Sequence, residues 1–72
     1  MKYRADQLRN GQYAVFTGKK YFTDTVTDSK EQAEKFAMVE SMVWHRNQMD
    51  KIIRKAEDSG YFKGENVYDY LA

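Results

Sequence analysis

The fold turns on one stretch, residues 29–58, SKEQAEKFAMVESMVWHRNQMDKIIRKAED. It holds neither Gly nor Pro and is rich in good helix formers such as Ala33, Glu34, Met38, Met42, Lys51 and Ala56. Its start carries cap chemistry in two competing frames. With Asp28 as N-cap, Glu31 falls at the third helical position; with Ser29 as N-cap, Gln32 does. Gly60 suits the left-handed residue that ends a helix. Glu31 with Lys35 and Asp50 with Arg54 have the i, i+4 spacing of exposed ion pairs. The spacing predicts one helix over 29–58.

The apolar positions of that helix form a band rather than a stripe. Phe36 and Val43, Met42 and Met49, Val39 and Ile53, and Met38 and Ile52 fall on adjacent rows, with His45 and Arg46 interrupting the band halfway. A continuous helix here is roughly 45 Å long, whereas a compact chain of this size is about 30 Å across. Either the helix breaks, around residues 45–50, or its second half packs on another chain. With no Gly or Pro to mark a break, the sequence favours the second option. A homodimer through the second half of the helix is therefore expected, with Trp44, His45, Arg46 and the adaptable Met49 at the contact.

Working outward, residues 12–26 read as a β-hairpin. Two runs rich in aromatic and β-branched residues flank Gly18-Lys19, which suits a two-residue type II′ loop. That register sets Val15 opposite Phe22 and Phe16 opposite Tyr21. Alternation places Tyr13, Val15 and Phe22 on one face and Ala14, Phe16 and Tyr21 on the other. One face must pack on the helix, and the other needs a cover of its own. Residues 1–10 are expected as an irregular lead-in, Asp6 starting a single helical turn, with a turn at Asn10-Gly11. Residues 61–72, bearing Tyr61, Phe62, Tyr68, Tyr70 and Leu71, are expected to fold back onto the helix or hairpin, because so many apolar groups rarely stay together in water; a third strand there is the alternative. The expected fold is a single α+β domain over 1–72: an N-terminal β-hairpin packed on one long α-helix, ββα-like, with a short aromatic C-terminal segment.

The chain has 72 residues, with 12 Lys and Arg against 11 Asp and Glu, a net charge of +1. That balance disfavours both a nonspecific DNA coater and an acidic DNA mimic. Without cysteine there is no disulfide framework or thiolate metal site. Nothing resembles a signal peptide, and no apolar run approaches the ~20 residues of a membrane span. A cytoplasmic protein is expected, in the host cytoplasm if the gene is viral.

Chemistry-bearing patterns are sparse. His45 is the single histidine, and its helical neighbours Ser41, Met42, Gln48 and Met49 include no carboxylate to orient it as a base. Glu57-Asp58, and Glu65 with Asp69, read as solvated charge rather than a cation loop. The glycines do not form a phosphate-binding pattern. No catalytic residue, metal site or cofactor is assigned, and an enzyme is not expected. The expected function is a non-enzymatic protein-binding module, an inhibitor or adaptor of the phage or mobile-element type, acting through Phe16, Tyr21, Trp44 and Arg46, since aromatic and Arg residues dominate contact hot spots. The alternative partner is nucleic acid, tracked by Lys19 and Lys20 beside the aromatic hairpin face.

Overall fold

The computed structural model describes residues 2–71. Met1 and Ala72, the two ends of the expected domain, and the side chain of Leu71, expected in the packing of the tail, lie outside the described residues. The architecture is α+β. Strands β1 (Arg4–Gln7), β2 (Tyr13–Thr17) and β3 (Lys20–Tyr21) precede helices α1 (Lys30–Trp44) and α2 (Met49–Ser59); 3₁₀ turns lie at Thr23–Thr25, Arg46–Gln48 and Val67–Leu71. The sheet is antiparallel in the order β1-β2-β3. α1 packs on β1 and β2, while α2 packs on α1 and the tail rather than on the sheet.

The β2–β3 hairpin forms in the expected register. Gly18 has φ 64° and Lys19, like every described non-glycine residue, has negative φ, the combination that a type II′ loop requires. Phe16 faces Tyr21, and the Phe22 N–H donates to the Val15 carbonyl at 3.0 Å. β3 is short because Thr25 does part of a strand's work. Its buried Oγ1 accepts from the Val15 N–H at 3.0 Å and donates to the Phe22 carbonyl at 2.6 Å. Tyr13 and Thr27 then exchange two backbone bonds of 2.8 Å.

The expected lead-in is instead the strand β1, paired with β2 from Arg4 opposite Phe16 to Gln7 opposite Tyr13. Asp6 lies within this strand and starts no helical turn. Asn10-Gly11 is the turn foreseen, but it closes a hairpin: the Leu8 N–H donates to Gln12 at 2.7 Å and Gly11 has φ 91°. The physical reason is alternation. Arg4 and Asp6 are exposed while Tyr3 and Ala5 are half-buried, a period-2 pattern hidden among charged residues.

The single helix over 29–58 is corrected to two helices. α1 ends where His45 adopts φ −124°, ψ 55°, and the turn Arg46–Gln48 reverses the chain into α2. This is the break at 45–50 that the sequence offered as the alternative to a second chain. Its cause is tertiary: folding the apolar band on itself buries Met42 of α1 with Ile53 and Ala56 of α2, and Met38, Val39, Met49 and Ile52 pack against them. The overhang disappears, and the molecule measures 33 × 26 × 20 Å. With it goes the argument for a dimer through the second half of the helix, whose apolar side is occupied within the chain.

Of the two cap frames, Ser29 prevails, its Oγ accepting from the Gln32 N–H at 3.1 Å. Asp28 instead accepts from the Gln12 side chain. Gly60 ends α2 in the left-handed region at φ 80°. The tail folds back as expected, in turns and a 3₁₀ segment rather than a strand, and Phe62 and Val67 complete the core around Met42. Lys35, expected to pair in solvent with Glu31, is buried and bonds Glu65. Its ammonium lies 5.3 Å from the Phe62 ring centre and 5.2 Å from that of Tyr70. Glu65 is thus not free solvated charge beside Asp69; it also accepts from the Tyr70 hydroxyl at 2.8 Å.

Candidate functional site

The two faces of the sheet are set by pairing. Tyr3 stacks on Phe22 at 6.1 Å and meets the His45 ring edge-on at 5.8 Å, so the face of Tyr3, Ala5, Val15 and Phe22 is turned to the helices. The opposite face presents Arg4, Phe16 and Tyr21 in one cross-strand row. Ala14, on the same face beside Asp6, is fully buried, so the exposure of this face is concentrated at the row of Arg4, Phe16 and Tyr21.

This outer row is a connected cluster. The Phe16 and Tyr21 rings lie 5.4 Å apart at 42°. The Arg4 guanidinium sits 5.3 Å above the Phe16 ring, donates to the Gly18 carbonyl at 2.9 Å, and approaches Asp6 at 3.6 Å. Arg4 thus ties strand to loop while layering a flat cation on an aromatic face. Tyr21 keeps 44% of its surface in solvent. Lys19 is exposed in the adjoining loop, and Lys20 is exposed on β3 beside Tyr21, on the other face by strand alternation. Of the expected contact residues, Phe16 and Tyr21 are brought together here, with Lys19 and Lys20 exposed at the same end of the hairpin.

The other four do not join them in one patch. Trp44 is 63% exposed, its indole N–H donating to Glu40 at 3.0 Å, with the exposed Val43 beside it. Arg46 is exposed in the interhelical turn. His45 is half-buried against Tyr3, and Met49 packs on the core beside Met42. Met49 is partly buried by the same reversal that brings α2 onto α1. Arg4 is the member of the outer row that sequence reasoning left in the lead-in. The signal that finds it is the Tyr3/Ala5 against Arg4/Asp6 alternation just before Asn10-Gly11.

Among the described residues no cluster of His, Cys, Asp or Glu could hold a metal ion. Among the described residues no helix is long and apolar enough to cross a membrane. Comparison with protein-family models, curated proteins and solved structures finds no match. The reading of function therefore rests on surface chemistry.

Proposed function

We propose that this chain is a small, non-enzymatic protein-binding module, acting as an inhibitor or adaptor, and that the outer sheet face is its contact surface. One observation carries the reading: Phe16 and Tyr21 pair on the outer sheet face, Tyr21 44% exposed, with the Arg4 guanidinium layered on Phe16. Tyr, Phe and Arg are the residue types enriched at the centre of protein interfaces. Their rigid mutual contacts reduce the ordering entropy a partner has to overcome. Trp44 and Val43 form a smaller second patch.

The test is affinity capture from native lysate with parent, Tyr21→Ala and Trp44→Ala chains in parallel. A protein retained by the parent in high salt and lost specifically with Tyr21→Ala supports the outer face. Capture that ignores Tyr21 rejects it.

Nucleic acid is the second reading, favoured by Arg4, Lys19 and Lys20 flanking an aromatic pair. Single-strand binders combine such stacking platforms with cations. Under that reading an oligonucleotide is shifted at low salt, the shift weakens steeply as salt rises, and Lys19→Glu with Lys20→Glu abolishes it.

A further inference from the structure

β1 is an edge strand of the sheet. Hydrogen bonding along β2 fixes which groups point where. Tyr13 and Val15 spend their backbone groups on Thr27, Thr25 and Phe22. In an antiparallel ladder the intervening residues of β2, Ala14 and Phe16, then bond β1, through their partners Asp6 and Arg4. The N–H and C=O of Ala5 consequently point away from the sheet, at the open edge. Beside that edge runs a groove of about 790 Å³, lined by Tyr3, Ala5, Met38, Ser41, His45 and Ile52 among others.

We propose that two chains associate by antiparallel β1–β1 pairing about a two-fold axis at Ala5, giving a continuous six-stranded sheet. The argument is charge complementarity. With Ala5 opposite Ala5 of the second copy, Arg4 falls opposite Asp6 of that copy, and Asp6 opposite its Arg4. Both side chains lie on the outer face, 50% and 57% exposed. Opposite charges directly across strands stabilise a pair, and like charges oppose it. A lysine-guarded edge repels its own kind; this one attracts it. Ala5 at the axis exchanges two backbone bonds with its counterpart and offers only a methyl group to the crossing. The Gln7 N–H is already taken by the Asp6 carboxylate at 2.8 Å, which limits the pairing to a few residues around Ala5. An interface this short belongs to the weak, reversible class. It rests on the strand edge and is independent of the outer-face reading, although it would set two Arg4–Phe16–Tyr21 rows side by side.

Analytical ultracentrifugation of the whole chain up to about 1 mM tests it. The expected result is a reversible monomer–dimer equilibrium. Arg4→Asp and Asp6→Arg are each expected to be monomeric, and their equimolar mixture to dimerise, because each then faces its opposite charge. Arg4 also braces the hairpin, so Ala5→Pro supplies a second route. It deletes an N–H that the β1–β2 ladder does not use, at an edge position where proline is tolerated, and is expected to give a folded monomer. A parent that stays monomeric throughout, or a dimer unaffected by Ala5→Pro, overturns the proposal. Because Ala5→Pro leaves Phe16 and Tyr21 untouched, its effect on mass is distinct from any loss of partner capture by Tyr21→Ala.

Discussion

Lys35 and Glu65 are joined by a hydrogen-bonded ion pair that spans 30 positions of sequence and clasps the tail to α1. The lysine is 7% exposed, its ammonium set against two aromatic rings, while the glutamate opens to solvent on its far side. Glu65 is held below the usual carboxylate range by the bond from Lys35 first and that from Tyr70 second. Lys35 is raised by Glu65 first and Tyr70 second.

The sign of the resulting pH dependence follows from these directions. A carboxylate with a lowered folded-state pKa stabilises the fold above its unfolded value and loses that contribution as pH falls through the folded value. A raised lysine contributes below its unfolded value and loses it as pH rises through the folded one. The clasp therefore acts fully at neutral pH, weakens in acid below the usual carboxylate range, and weakens in alkali above the usual lysine range. Solvent at Glu65 keeps the effect modest. Glu65→Gln is expected to lower the urea midpoint at neutral pH and to narrow its gap to the parent in strong acid. An equal deficit at both pH values would count against the clasp.

Thr25→Val is nearly isosteric and removes one hydroxyl. It strands the buried Val15 N–H, at an expected cost of about 1–3 kcal/mol. Equilibrium denaturation measures the loss. A neutral result would mean that the amide finds another partner and that Thr25 is not what finishes the short strand.

The two cap frames make separable predictions. Ser29→Ala is expected to cost about 1 kcal/mol, whereas Asp28→Ala loses only an exposed bond from Gln12 and should cost clearly less. Thermal melts of the pair decide it, and the reverse order would assign the cap to Asp28.

The interhelical reversal depends on core burial, not on the turn's own preference. Ile53→Ala is expected to cost about 2–5 kcal/mol. Asn47→Ala raises local helix propensity by less than about 1 kcal/mol, too little to straighten the chain against the core. Denaturation of the first and the interhelical distance in the second, from paired spin labels on Glu40 and Glu57, check both statements.

Signals confined to a few neighbouring residues were the legible ones. Gly18 set the hairpin register, Gly60 the end of α2, and the Ser29/Gln32 frame was one of two on offer. β1 escaped because Arg4 and Asp6 look like solvated lead-in until their partners Phe16 and Ala14 are known. The break near His45 was on offer but not preferred, because no local Gly or Pro encodes it. The breadth of the apolar band was the true signal, and it pointed to a partner; that partner proved to be the chain's own second helix and tail. The same logic divides the site. Phe16 and Tyr21 follow from alternation alone, whereas Arg4 needs the third strand, and Met49 packs partly buried against the core once the helix reverses. Lys35 could be paired correctly only after the tail was placed.

α1 separates two packing layers of different grain. Toward the sheet it buries Ala33 and Ala37, toward α2 and the tail Met42 and Lys35. A wall shared by both layers leaves neither half able to melt alone without exposing the other's lining. The domain should therefore lose its structure in a single cooperative transition. The amides in the middle of α1 should exchange with solvent only when the whole chain opens.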